Sequence, residues 1–81
     1  MKLPIVSSTD IERVLKKAGF NYAPKRGKGS HKAFYKEESG RKYLVIVPER
    51  KSIPRGTLMA ILEQSGLSKQ EFIELLRGKK I

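Results

Sequence analysis

The sequence predicts an α+β fold in which helices cover one face of a small three-stranded antiparallel sheet. Three observations lead to this prediction. An amphipathic helix with cap signals comes first, three short strand-like segments separated by turn residues follow it, and two further short helices come last. The predicted order is therefore helix, three strands, helix and a short last helix, and we expect residues 1–81 to form one domain.

The first helix is predicted from its cap residues and its apolar stripe. Ser7 is the expected N-cap, and Asp10 follows it at the spacing of a capping box. Gly19 supplies the left-handed residue on which helices commonly end. The apolar residues that recur with helical spacing are Ile11, Val14, Leu15 and Ala18.

Three segments read as strands, namely residues 20–23, 32–36 and 42–47. Residues 37–40, Glu-Glu-Ser-Gly, predict a turn between the second and third of them. Short strands joined by a tight turn pair in an antiparallel sheet, so we expect a meander rather than a parallel arrangement.

The third strand is apolar throughout, whereas a strand with one wet face alternates. We expect Leu44 and Ile46 to face the helices, and Tyr43, Val45 and Val47 to face the other way. A partner protein covering that second face is one explanation of the pattern. A curled sheet that buries both faces internally is the other.

Two helices are predicted after the sheet. Pro54 suits the first turn of the second helix, and Gly66 suits its end. Ser68 and Glu71 form a second capping-box pattern, which predicts the start of a short third helix.

Absent residue types narrow the chemistry. The chain has no cysteine and one histidine, so disulfides and cysteine nucleophiles are excluded, and neither a metal site nor a cofactor is expected. The sequence shows no apolar signal region at its start and no apolar run of membrane-spanning length. A cytoplasmic protein that does not enter a membrane is therefore expected.

The charge is strongly positive and unevenly distributed. Eighteen Lys and Arg stand against eight Asp and Glu, a formal net charge of +10. Residues 13–36 contain eight basic residues and no acidic one. A field of this kind attracts polyphosphate, and a merely solubilising surface usually mixes both signs, so we favour nucleic acid as a partner.

A glycine-rich basic loop is the candidate site. Its glycines allow the backbone to approach a ligand closely, and successive amides in such a turn can form an anion-binding nest. The chain's one histidine, His31, follows directly. The residues expected to hold RNA phosphate are Lys25, Arg26, Lys28, Gly29, Ser30 and Lys32.

His31 is the candidate catalytic residue. An unperturbed imidazole, with a pKa of about 6.5, exchanges protons near neutral pH. Internal RNA cleavage needs a base for the 2′-hydroxyl, charge stabilisation at the phosphate and an acid for the leaving oxygen, and it requires no metal. Tyr35, Ser30 or a lysine could be the second proton carrier. Composition alone favours RNA binding over RNA cleavage.

The chain resembles the HicA family, also called YcfA-like, of mRNA interferase toxins from type II toxin–antitoxin pairs. Two blocks carry most of the specificity, Gly29-Ser30-His31 and Gly56-Thr57-Leu58, in this order and at this distance. The similarity spans nearly the whole chain. Its matching segments are residues 17–20, 26–34, 47–48, 56–62 and 65–68.

The resemblance implies a double-stranded-RNA-binding-domain-like α-β-β-β-α fold and ribosome-independent cleavage of mRNA. It places the family's histidine on His31, and it implies a HicB-like antitoxin that binds the toxin and masks that residue. Many members carry another histidine just after the Val-Pro step. This chain has Glu49-Arg50-Lys51 there, so a role for that histidine is absent or replaced.

Two other functions fit the same sequence. One is a non-catalytic RNA-binding module on the same fold, which would use the same basic surface. The other is an interaction protein whose positive charge serves an acidic partner. Cleavage of RNA separates the first of these from a toxin ribonuclease, since binding is common to both.

Overall fold

The computed structural model describes residues 3–24 and 31–78, and it confirms the predicted α+β fold and element order. The three strands form one antiparallel sheet in the order β1-β2-β3. The helices pack on one face of this sheet and share its core. The elements are α1 Ser8–Lys17, β1 Asn21–Tyr22, β2 His31–Glu38, β3 Arg41–Pro48, α2 Arg55–Ser65 and α3 Lys69–Leu76.

Helix α1 begins and ends at the predicted signals. The Ser7 amide donates to Asp10 Oδ2 at 3.0 Å, and the Asp10 amide donates to Ser7 Oγ at 3.2 Å, which completes the capping box. Gly19 has a φ of +94°, a conformation that side chains with a Cβ rarely adopt. Ile11, Val14 and Leu15 of the apolar stripe are buried in the core that α1 shares with the sheet. The cap residues, which are local signals, set where the helix begins and ends.

Asp10 makes stability depend on pH. Hydrogen bonds from the Ser7 amide and then the Ser7 hydroxyl hold the Asp10 pKa below its usual value. A lowered folded-state pKa means that the carboxylate stabilises the fold above its unfolded pKa and that this stabilisation is lost as pH falls. We expect Asp10→Asn to cost about 0.5 kcal/mol near neutral pH, in the range for a charge at a helix N-terminus.

Urea unfolding near neutral pH and again at about pH 2 measures this dependence. The difference between wild type and Asp10→Asn should shrink in acid. Glu63→Gln, which alters an exposed helical carboxylate without a cap contact in the described part of the chain, is the control. A difference of equal size at both pH values would contradict the role of the Asp10 charge.

The β2–β3 hairpin sets the register of the sheet. Ser39 and Gly40 have φ angles of +51° and +78°, which suit the two-residue turn of a tight hairpin. The observed turn is therefore shorter than the predicted turn over residues 37–40, because β2 continues to Glu38. This register places His31 opposite Pro48, Phe34 opposite Val45 and Tyr35 opposite Leu44.

The predicted orientation of β3 is wrong. Val45 and Val47 face the helices and are fully buried, whereas the Leu44 side chain is 41% exposed on the other face. Phe34 decides the orientation, because it is buried in the core and pairs with Val45 across the two strands. An all-apolar strand has no alternation from which its core side could be read.

The two faces of the sheet therefore have different roles. The core face packs against the helices through Phe34, Val45 and Val47. We call the opposite surface the outer face. Its residues on β2 and β3 are His31, Ala33, Tyr35, Leu44, Ile46 and Pro48. Tyr35 and Leu44 are both substantially exposed there, whereas Ala33 is fully buried, so the structure covers the outer face in part and does not bury it throughout.

Helices α2 and α3 also follow their predicted signals. Pro54 is the residue that caps α2, and Gly66 ends this helix with a φ of +74°. A Cβ on Gly66 would lie 3.1 Å from Cε1 of Tyr43, so this turn also requires glycine for packing. Ser68 and Glu71 form the second capping box at the start of α3.

Two lysines of the basic stretch hold helix ends. Lys36 Nζ donates to the Ala18 carbonyl at 2.8 Å, just after α1, and pairs with Glu38. Lys17 Nζ donates to the Leu75 carbonyl of α3 at 3.2 Å. Cations near a helix C-terminus stabilise it, so part of the positive charge maintains the fold.

The segment after β3 is tied to the start of α1. The Ser8 amide donates to the Arg50 carbonyl at 2.9 Å, and the Arg50 amide donates to Ser8 Oγ at 3.2 Å. The Ile53 amide donates to the Val6 carbonyl at 2.8 Å. Because Ser8 is buried, these bonds fix the backbone at Arg50 where the chain leaves the sheet.

Candidate active site

His31 is the first residue of β2 and is exposed on the outer face. It lies at the end of the sheet where β3 finishes, opposite Pro48. Its side chain makes no hydrogen bond to any other residue in ranges 3–24 and 31–78. The imidazole is therefore open to solvent and is not used to hold the described part of the fold together.

A cleft of about 330 Å³ lies beside this histidine, between the ends of β2 and β3 and the side of α2. We call it the His31 cleft. Its lining mixes polar and apolar residues of the sheet, of α2 and of the segment between them. The lining residues that bear on its chemistry are His31, Pro48, Arg50, Thr57 and Gln64.

Arg50 is the cation that the structure brings to His31. Both side chains line the same cleft, and the Arg50 backbone is fixed by its two hydrogen bonds to Ser8. A guanidinium is always charged and presents several donors that match a phosphate. Arg50 is not among the site residues predicted from the sequence, although it lies in the segment after Val-Pro that departs from the family pattern.

Gln64 closes the other side of the cleft. Its Oε1 accepts from the Ile46 amide of β3 at 3.2 Å, so α2 covers the free edge of that strand. This bond satisfies a backbone donor that an edge strand otherwise leaves open. It also joins α2 to the sheet beside the cleft.

Lys32 lies on the other face from His31, because neighbouring residues of a strand point to opposite sides. Its ammonium pairs with Glu49 at 3.2 Å and with Glu12 of α1 at 3.5 Å. The hydrogen bond to Glu49, and then the charge of Glu12, hold the Lys32 pKa above its usual value. The structure therefore separates Lys32 from the His31 cleft, and its role in phosphate binding stays a prediction.

The remaining predicted phosphate contacts lie outside the described residues. They directly precede His31 in the sequence. Their part in binding stays a prediction. These residues are Lys25, Arg26, Lys28, Gly29 and Ser30.

A second positive segment borders the cleft. Arg50, Lys51 and Arg55 are all exposed, and none has a carboxylate within 4.0 Å in the described part of the chain. The neighbouring acid, Glu49, pairs with Lys32 instead. The mouth of the cleft is therefore positive, which favours anionic ligands.

Two further findings concern the described ranges 3–24 and 31–78. They contain no group of three or more His, Asp or Glu residues placed to hold a metal ion. They also contain no helix that is long and apolar enough to cross a membrane.

Comparison with models of protein families matches residues 8–67 to the family described as the HicA toxin of bacterial toxin–antitoxin systems. The chain belongs to the HicA toxin family. The matched region contains the entire sheet, α1 and α2, and with them His31 and Arg50. As a HicA toxin, the protein has an antitoxin as its implied partner. A search of curated proteins gives no match.

Proposed function

We propose that this HicA-family protein is a metal-independent endoribonuclease that cleaves mRNA and uses His31 in catalysis. The observation that supports this most directly is an exposed imidazole in a cleft that it shares with Arg50, whose backbone is held by Ser8. Internal cleavage of RNA requires an acid–base group and a cation that binds the phosphate, and one cleft offers both residue types.

The reaction follows from these two groups. The His31 imidazole takes the proton of the 2′-hydroxyl, and the 2′-oxygen forms a bond to the adjacent phosphorus. The bond from phosphorus to the 5′-oxygen breaks, and this oxygen takes up a proton from water. The products are a 2′,3′-cyclic phosphate and a free 5′-hydroxyl. The nucleophile belongs to the RNA itself, so no metal is needed to generate it.

Arg50 is proposed to hold the phosphate whose charge grows in the transition state. Arg50 lines the cleft and its backbone is held by Ser8, so the point from which its side chain extends is set before substrate binds. The glycine-rich loop contributes further contacts through Lys25, Arg26 and Lys28, and through Gly29 and Ser30 next to the histidine. A contribution of Lys32 requires that its ammonium leave Glu12 and Glu49, with which it pairs on the other face.

The antitoxin is proposed to be a HicB-like protein that masks His31. Masking requires only that it cover the mouth of the cleft, because the imidazole is exposed there. An acidic antitoxin surface would complement Arg50, Lys51 and Arg55. Since mRNA is the proposed substrate, the toxin is expected to act in the cytoplasm.

Incubation of labelled RNA with purified protein in EDTA tests the proposed activity. Cuts that end in a cyclic phosphate, at unchanged rate with and without EDTA, are the expected result. Intact RNA together with salt-dependent binding would instead indicate a non-catalytic RNA-binding module, since that function uses the same charges.

Arg50→Ala is expected to slow cleavage by about 10-fold to 150-fold, the range for losing a hydrogen bond to a charged group. Arg41→Ala is the matched control, because it removes the same charge from the far end of β3. Single-turnover cleavage at saturating RNA measures both. Equal effects of the two variants would show that net charge, and not a contact in the cleft, explains the loss.

A further inference from the structure

A second cleft lies on the outer face, further along the strands from His31. It has a volume of about 230 Å³, which is small for a drug-sized ligand and suits a single planar ring system. We call it the Tyr35 cleft. The lining residues used below are Ala23, Tyr35, Glu37, Lys42 and Leu44.

Tyr35 is an exposed aromatic ring on the same strand and the same face as His31. The two residues are four positions apart, which corresponds to about 13 Å along a strand. Tyr35 is 45% exposed, and its cross-strand neighbour Leu44 is 41% exposed. An aromatic ring supported by an aliphatic side chain is the type of surface on which nucleobases stack.

The polar residues of this cleft suit the edge of a base. Glu37 and Lys42 are opposite each other across β2 and β3, and no ion pair within 4.0 Å joins these two described side chains. The cleft therefore offers the Glu37 carboxylate as an acceptor and the Lys42 ammonium as a donor, and Lys36 and Tyr43 also line it. A charged pair inside the exposed apolar surface is also unlike the contiguous apolar patches of protein interfaces.

We propose that the Tyr35 cleft binds one unpaired nucleobase of the RNA whose scissile phosphate lies at His31. This inference rests on the proposed ribonuclease function and adds a base-binding site to it. The bound strand crosses the outer face from the His31 cleft to Tyr35, and the base stacks on the phenol ring against Leu44. The RNA at this site is single-stranded, since a paired base has no free face for stacking.

The test uses wild-type protein and a short mixed-sequence 2′-O-methyl RNA, which lacks the internal nucleophile and cannot be cut by the proposed route. An abasic oligomer of equal length is the second probe. Tyr35→Ala is expected to weaken binding of the base-bearing oligomer by about 5-fold to 150-fold. Tyr35→Phe should bind as wild type does, and the abasic oligomer should not distinguish any of the three proteins.

Tyr35→Trp gives a direct readout, because the chain has no other tryptophan. Its fluorescence should be quenched by the base-bearing oligomer and not by the abasic one. Tyr22→Ala is the matched control. Tyr22 is 49% exposed but is next to Phe34 on the core face, so its loss should leave RNA affinity unchanged. Thermal unfolding of each variant shows that it remains folded.

Unchanged affinity of Tyr35→Ala, or an equal loss for the abasic oligomer, would overturn the proposal. The proposal would also be overturned if Tyr35→Ala bound RNA normally and no longer bound the antitoxin, because the cleft would then be a protein-binding surface. These outcomes do not depend on cleavage. If His31→Ala abolishes cutting while Tyr35→Ala has no effect on binding, the base site is wrong and the proposed ribonuclease function stands.

Discussion

Replacing His31 with alanine is expected to lower RNA cleavage at least about 100-fold, the lower end of what a positioned acid–base group contributes. The fold should remain intact, because the side chain is exposed and holds no other residue of the described ranges. The chain has no second histidine that could take over the proton transfer. Growth arrest on expression should be lost together with cleavage.

Three measurements check this expectation. Labelled RNA is incubated in EDTA with wild type and variant, growth is followed at matched expression, and thermal unfolding reports on the fold. His31→Gln is the more demanding control, since the amide keeps hydrogen bonding but cannot exchange a proton near neutral pH. If His31→Gln cleaved RNA at the wild-type rate, His31 would be a binding residue and not a catalytic one. Equal toxicity of wild type and His31→Ala would remove it from the mechanism.

The helices could be predicted from sequence because their signals are local. Ser7 with Asp10, and Ser68 with Glu71, satisfy the first backbone amides of α1 and α3 through residues three positions apart. Gly66 ends α2 through its own backbone conformation. None of these signals requires a distant segment of the chain, so each can be recognised in a single sequence.

The orientation of β3 could not be predicted because it depends on pairing with another strand. Val45 and Leu44 are both apolar, so neither marks the core side. Phe34 marks it, but only after the two-residue turn at Ser39 and Gly40 has set the register. A shift by one residue would have exchanged the two faces, and the orientation predicted from the sequence is exchanged in this way.

The candidate site also combines a residue that local sequence marks with one that only strand pairing brings to it. His31 could be selected because it is the one histidine and follows a glycine-rich basic loop. Arg50 could not be selected from charge, since it is one of 18 basic residues. It joins His31 because β2 and β3 pair antiparallel, which brings the start of one strand to the end of the other. Lys32, next to His31 in sequence, points to the opposite face for an equally simple reason.

Phe34→Ala is expected to destabilise the protein by about 3–5 kcal/mol, the usual cost of removing a buried phenyl ring. The Phe34 ring is 1% exposed in the core and lies 5.5 Å from the ring of Tyr22. A chain of this length has a total stability of about 4–12 kcal/mol at ordinary values per residue. The variant should therefore lose much of its stability, and urea unfolding at equilibrium measures the loss.

Tyr35→Ala is the matched comparison, because Tyr35 follows Phe34 directly on the same strand and faces the other way. Its removal should cost no more than about 1 kcal/mol, since a half-exposed ring leaves no closed cavity. The two variants together test which face of the sheet is the core. If Tyr35→Ala cost as much stability as Phe34→Ala, the outer face would be part of the interior. Neither the base site at Tyr35 nor the exposed position of His31 on the same face would then be correct. A large cost for Phe34 alone would instead leave Tyr35 free to act in binding, where its effect should appear in RNA affinity and not in unfolding.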